Sequence, residues 1–260
     1  MVTFLKTGIA QIKLKINTAI LHKIRPIKSF EFNGADIKKD IYEKYNFSGE
    51  LVDIFVNNKE RIIHKWHHYI PIYDRYFQGY RGKNIRFLEL GVSKGGSLSM
   101  WRKYFGEDAI IFGIDIEDTC KVFNGIDGEV RIGSQDDKKF LLDVLGEMGG
   151  VDIILDDGSH KMKHIKKSLS VLFPHLSEGG IYMIEDLHTS YWKRYGGGFR
   201  SNLNFFNVVR DLIDDLHHWY HKKPLKIKDV SKNCSAIHIH DSIVVLEKNK
   251  VFAPTHSRVS

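Results

Sequence analysis

The run IRFLELGVSKGGS, residues 85–97, decides the fold class. Its first half is nearly continuous in apolar residues, as a strand buried on both faces must be. Its second half places Gly91, Gly95 and Gly96 ahead of a helix through Trp101 and Tyr104, and a backbone so rich in glycine can take positive φ and approach a ligand closely. The same alternation continues outward: strand AIIFGIDI (109–116), a loop to a short strand near Val130, a helix over about 137–145, strand VDIIL (151–155), a helix over about 162–173, the turn SEGG (177–180) and strand IYMIE (181–185). Such βα repetition predicts an α/β fold, a mostly parallel sheet with helices on both faces. After Gly196, Gly197 and Gly198 a long helix is expected over about 203–221, and SAIHIHD followed by SIVVLEK predicts a closing antiparallel hairpin. Upstream, residues 34–80 read as helical and polar, with Tyr69, Tyr73 and Phe77 forming an apolar stripe that Pro71 interrupts.

Two strands of this set end in acid, LDDGSH (155–160) and IEDLHTSYW (184–192). Open α/β sheets bind ligands at the carboxyl ends of their strands, so Asp157, Glu185 and Asp186 are expected to converge there. They offer only hard oxygen ligands, which suits Mg²⁺ or Mn²⁺ better than zinc. A metal bridging two vicinal hydroxyls would lower the pKa of the attacking one, and His160, three residues after Asp157, could take its proton. Asp156 is the alternative ligand, and His160 could instead simply start a helix. The glycine turn lacks the lysine of a phosphate-cradling P-loop, which disfavours a nucleoside triphosphate. The dinucleotide pattern GxGxxG fails because position 93 is serine. Asp115 is placed to hold ribose hydroxyls, a need shared by NAD and S-adenosylmethionine, and the missing fingerprint favours the second.

At 260 residues and 42% hydrophobic content the chain can bury a full core. Cys120 and Cys234 carry no CxxC or zinc spacing and read as structural, in a reducing cytoplasm. Of the net charge of +7, all but one unit belongs to the first 28 residues; without them 33 basic side chains face 32 acidic ones, so the body gives no reason to expect nucleic acid. Within those residues Phe4, Leu5, Ile9, Ile12, Ile16, Ile20 and Leu21 recur near helical spacing. A basic amphipathic helix contacting an anionic membrane peripherally is one reading, and packing on the domain or on a second copy in a homo-oligomer is the other. Lys13 and Lys15 interrupt any apolar run, so neither a signal peptide nor a membrane span is expected. The division drawn is a basic, largely helical extension over 1–60 and a domain over 61–260.

Taken together, ELGVSKGGS, FGIDI, GSQDD, LDDGSH and IEDLHTSYW resemble the class I S-adenosylmethionine-dependent methyltransferases, and among them the metal-dependent sugar O-methyltransferases of macrolide biosynthesis, of the mycinamicin and macrocin type. The similarity spans about residues 60–250, and it departs from the commoner glycine motif at Ser93. The resemblance implies a Rossmann-like methyltransferase fold with a seven-stranded sheet. It also implies S-adenosylmethionine bound by Glu89, Gly91, Ser93, Gly95, Ser97, Asp115, Ile116, Ser134, Gln135, Asp136 and Asp156. Glu89 and Gly91 would line the methionine end, Asp115 the ribose, and Gln135 or Asp136 the adenine. The same family assigns Asp157, Glu185 and Asp186 to Mg²⁺, and His160 to the general base. His188, Tyr191 and Trp192 then follow the ligands as an aromatic face for a sugar ring. For the last three, packing beneath a loop is the plain alternative, as a polar turn is for Gln135 and Asp136. Residues 194–200 read as a mobile lid or a plain loop, His217 and His221 as a solvated helix face, and His238 with His240 as one face of a strand.

The expected activity is therefore transfer of a methyl group to a sugar hydroxyl of a glycan or glycosylated natural product. A phenol or catechol acceptor satisfies the same metal geometry. From other classes, a noncatalytic S-adenosylmethionine-binding subunit and an NAD-dependent oxidoreductase remain open; the latter lacks its pyrophosphate fingerprint.

Overall fold

Strand β1 (Arg86–Leu90) forms where the sequence places it, and its alternate residues go to opposite layers: Leu88 and Leu90 join one buried cluster, Phe87 the other. The computed structural model describes residues 27–259. The basic amphipathic pattern of residues 4–21 lies outside them. Six further strands complete the sheet: β2 (Ile110–Asp115), β3 (Glu129–Ile132), β4 (Val151–Asp156), β5 (Leu176–Ile184), β6 (Cys234–His240) and β7 (Ile243–Lys248). Their order is β3-β2-β1-β4-β5-β7-β6. The first five run parallel, while β7 is antiparallel to both β5 and β6. Order reverses between β1 and β4, which opens a crevice above their carboxyl ends.

Helices cover both faces. One layer holds α1 (Ile37–Tyr45), α2 (Glu50–Val56), α3 (Tyr69–Phe77) and α4 (Gly96–Phe105), which bury Ile41, Leu51, Tyr73 and Trp101 against Phe87, Ile153 and Met183. The other holds α5 (Lys138–Met148), α6 (Met162–Leu172) and α7 (Phe205–Leu216), with α8 (Lys228–Ser231) beside them; Leu141, Leu169 and Leu212 pack there on Leu88, Ile154 and Ile184. Pro71 falls in the first turn of α3, where a missing N–H costs nothing, so Tyr69, Ile70, Tyr73 and Phe77 stay on one buried stripe. The interruption expected at Pro71 does not occur.

Three other expectations are corrected. Residues 57–68 are not helical but form an irregular strap, lying so close over α4 that a side chain at Gly96 would collide with the Ile62 carbonyl. SEGG is not a turn: it lies inside β5, where Gly179 takes φ 80 and the pairing with β4 is irregular. The long helix stops at Leu216, where the rings of His217, His218 and His221 turn back to donate hydrogen bonds to the Ile213, Asp215 and Asp214 carbonyls. His217 is thus an exposed helix cap and His221 lies beyond the helix, so the two do not share one helical face. No helix among the described residues is long and apolar enough to cross a membrane.

Candidate active site

Gly91 leaves β1 at φ 98, and its N–H donates to Ile114 while the Leu90 carbonyl accepts from Asp157 N. A side chain at Gly91 would strike the Asp157 carbonyl, so glycine is what lets the β1 turn and the β4 end lie side by side. Between them opens a cleft of about 500 Å³. Gly91, Ser93, Ser97, Asp115, Ile116, Ser134 and Gln135 line it, as do Asp157, His160 and Asp186. Glu89, Gly95, Asp136 and Asp156 do not reach its wall.

Their places have local causes. Glu89 is fully buried beneath the turn, accepting from Ser97 Oγ (2.8 Å) and Trp101 Nε1 (3.1 Å); burial pushes its carboxyl up to about 7 against the pull of Lys65. Asp115 Oδ2 accepts from Val92 N and Ser93 N, both at 2.9 Å, and Oδ1 from Glu117 N at 2.9 Å. Its carboxylate thus braces the glycine turn. Gly95 caps α4 against the Phe123 ring, and Asp136 accepts from Ser134 Oγ at 2.6 Å. Asp156 and Asp157 part to opposite faces. Asp156 goes down to Gln135 (3.0 Å), Ser168 (2.6 Å) and Tyr182 (3.2 Å), and burial raises its pKa.

Asp157, His160 and Asp186 each present one ligand atom within 4.8 Å of the others. His160 Nε2 stands 3.7 Å from Asp157 Oδ1 and 3.7 Å from Asp186 Oδ2. Both His160 (φ 54) and Asp186 (φ 57) hold left-handed backbone, uncommon for residues other than glycine and frequent at functional sites. Glu185 is drawn inward: its N–H donates to the Asp156 carbonyl, and its carboxylate accepts from Lys65 Nζ and Tyr73 Oη. Burial and the neighbouring Asp157 raise the Glu185 pKa well above the carboxylate range. Lys65 Nζ also lies 2.6 Å from Asp157 Oδ2. Burial works against its charge, but Asp157 and Glu185 more than offset that and keep Lys65 protonated. Tyr69 Oη donates to Asp186 Oδ1 at 2.8 Å. The Asp157 and Asp186 carboxylates beside His160 offer hard oxygen donors that fit a divalent cation, whereas Glu185, engaged through both oxygens by Lys65 and Tyr73, lines neither cleft.

A second, larger cleft of about 1150 Å³ adjoins the first, with Ile63, His64 and Lys65 walling both. His188, Tyr191 and Trp192 line it, opposite Phe30, Phe32, Trp66 and His68. The His188 ring sits edge-on to Trp66 and Trp192, its Nδ1 2.7 Å from Ser242 Oγ. Its Nε2 is buried without a partner among the described residues, and burial lowers its pKa.

Lys65, Tyr69 and Tyr73 escaped the sequence reading. The tyrosines carried a usable signal, one helical turn apart on one face, yet read as core. Lys65 carried none, since its partners are 92 and 120 residues away.

No protein-family model matches the chain. Demethylmacrocin O-methyltransferase of Streptomyces fradiae is 39% identical over 171 residues, 59% of this chain and 42% of that one. The 8-demethyl-8-(2-methoxy-alpha-L-rhamnosyl)-tetracenomycin-C 3'-O-methyltransferase of Streptomyces olivaceus is 37% identical over 201 residues, 71% of this chain and 50% of that one. Among solved structures, the MycE methyltransferase from the mycinamycin biosynthetic pathway, in complex with Mg, SAH and mycinamycin VI, superposes with a TM-score of 0.68 at 29% identity, covering 84% of this chain and 54% of that one. The sheet order and the cleft above its switch point define the class I methyltransferase fold. Within that class, the chain carries a domain of the type found in the macrolide and tetracenomycin sugar O-methyltransferases. It spans about half the length of the curated relatives it matches.

Proposed function

We propose that this protein is a Mg²⁺-dependent O-methyltransferase that moves the methyl group of S-adenosylmethionine to a sugar hydroxyl of a glycan or glycosylated natural product. The observation that carries the reading is the meeting of Asp157, His160 and Asp186 within 4.8 Å, in a cleft that shares a wall with the aromatic one. Relatives named as sugar O-methyltransferases, and a relative solved with Mg and SAH, support the same chemistry.

When bound, S-adenosylmethionine supplies an electrophilic methyl group and the divalent cation a Lewis acid beside the acceptor hydroxyl. Gly91, Ser93 and Ser97 admit the donor close to the backbone, with Ile116, Ser134 and Gln135 at its far end. Asp157, Asp186 and Glu185 would hold the cation. His160 Nε2 takes the hydroxyl proton, facing a carboxylate on either side. His188, Tyr191 and Trp192 orient the sugar. The line at residue 60 belongs to this proposal only as the edge of the donor cleft, which is lined from Ile62 onward, since α1 and α2 pack on the same core.

Radiolabelled methyl transfer into fractionated glycans and glycosylated natural products, with Mg²⁺ or excess chelator, tests it. Label in a sugar-bearing fraction, lost on chelation, is expected. His160→Ala should lower turnover by about 10²–10⁴-fold while SAH affinity stays within about threefold. Label confined to small phenolics would move the acceptor to a phenol or catechol, and chelator-resistant transfer with full His160→Ala activity would sink the mechanism.

A further inference from the structure

A lysine is an odd occupant for the heart of an acidic site. Lys65 is 8% exposed, yet its partners are not a surface carboxylate but the ends of two adjacent strands: Asp157 after β4 and Glu185 after β5. It comes from the irregular strap at 57–68, the segment whose Ile63, His64 and Lys65 wall both clefts. Its ammonium therefore stands where the donor cleft, the acceptor cleft and the acid cluster meet. Resting on the metal-dependent reading above, we infer that Lys65 is a positioning residue for the metal site, a resident monovalent cation that spaces Asp157 and Glu185 and tunes the site to divalent ions.

The physical case has two parts. Asp157 and Glu185 leave neighbouring parallel strands 28 residues apart, and two carboxylates side by side repel unless a cation lies between them. The ammonium supplies donors to Asp157 Oδ2 and Glu185 Oε1, which leaves Asp157 Oδ1 turned to His160. Glu185 is anchored on its far oxygen by Tyr73 Oη, and Asp186 by Tyr69 Oη, so the strap and α3 together hold all three carboxylates. Charge is the second part. Lys65 sets one positive charge against the carboxylates that would hold the ion, and it opposes a bound cation in proportion to that cation's own charge. Removing the lysine charge should therefore favour trivalent over divalent ions, because each added unit of metal charge meets one less repulsive neighbour.

The test compares Mn²⁺ binding, by electron paramagnetic resonance, with Tb³⁺ binding, by sensitised luminescence, in the full chain. Lys65→Gln keeps a hydrogen-bond donor and loses the charge; its ratio of Tb³⁺ to Mn²⁺ affinity should rise about tenfold or more. Lys65→Arg keeps the charge and should leave the ratio near that of the native chain. Should Lys65→Gln fail to fold, judged by circular dichroism and SAH binding, Lys65→Met, which keeps an unbranched side chain and loses the charge, should raise the ratio to the same extent. A ratio within about twofold of native in the uncharged variant that folds, or one raised in Lys65→Arg, overturns the role of Lys65 while leaving the metal site standing. Failure of the native chain to bind Mn²⁺ at all overturns both, and is read directly from its own titration.

Discussion

Asp156 and Asp157 are adjacent and chemically identical, yet one braces the interior and the other faces the cleft. The two-residue period of β4 is the reason: it sends Asp156 to the layer of Ser168 and Tyr182, and Asp157 to the opposite layer, where Glu89 and Glu185 also point. Glu89 reports on that layer through pH. Its ordinary pKa of 4.5 is pushed by burial up to about 7, so the folded protein holds a proton that the unfolded chain has already released in between. Stability contributed at this position is greatest at low pH and falls as pH rises from about 4.5 to about 7, where the buried charge is formed. Glu89→Gln removes that charge, and the variant should gain on the native chain by up to roughly 3 kcal/mol between about pH 5 and pH 8. Urea denaturation of both proteins at the two pH values measures it, and a stability difference independent of pH would mean that Glu89 keeps one protonation state throughout. At this scale the acids were legible because they end apolar runs. Lys65 was not, because HKWHHY has the polarity of a surface loop and nothing local marks a lysine whose partners arrive from β4 and β5.

Elements were legible wherever their signals were local. Asp137 caps α5 by accepting from Lys139 N and Phe140 N, and the apolar runs of β1, β2 and β4 are read without ambiguity. SEGG misled because glycines that mark a turn also serve a strand that must bend, and only the pairing partner β4 decides between them. The strap at 57–68 is irregular because its order comes from what it covers. Two glycines separate these kinds of constraint. Gly91→Ala forces a side chain into positive φ and onto the Asp157 carbonyl, and should cost about 2 kcal/mol or more in stability with at least a tenfold loss of SAH affinity. Gly146→Ala, on an exposed turn of α5 with open space around it, should instead stabilise by about 0.5–1 kcal/mol and leave SAH binding unchanged. Denaturant titration with calorimetric binding reads both, and equal effects at the two positions would refute the placement of the β1 turn against β4.

Across the whole molecule, charge separates residues 1–28 from the rest, and packing gives no boundary at residue 60. Ile41 of α1 and Leu51 and Val52 of α2 are fully buried in the same cluster as Phe87, Trp101 and Met183. Residues of α1 and α2 also line the larger cleft, where Ile37, Asp40, Lys44 and Phe55 stand across from His188 and Trp192. The reason sequence alone does not reveal this is that α1 is polar on most of its surface and buries Ile41 alone, so its one anchor leaves little periodic trace. Burial of a large aliphatic side chain stabilises by about 1.5–3 kcal/mol, so the three together contribute an amount comparable with the roughly 5–15 kcal/mol that separates a folded domain from its unfolded chain. A fragment comprising residues 61–260 should therefore fail to unfold cooperatively in urea and fail to bind SAH, while the single change Ile41→Ala in the full chain should cost about 2–5 kcal/mol and retain binding. Should the fragment fold and bind SAH as the full chain does, α1 and α2 would be a detachable cover over the acceptor cleft, and deleting them would alter only which acceptors are accepted.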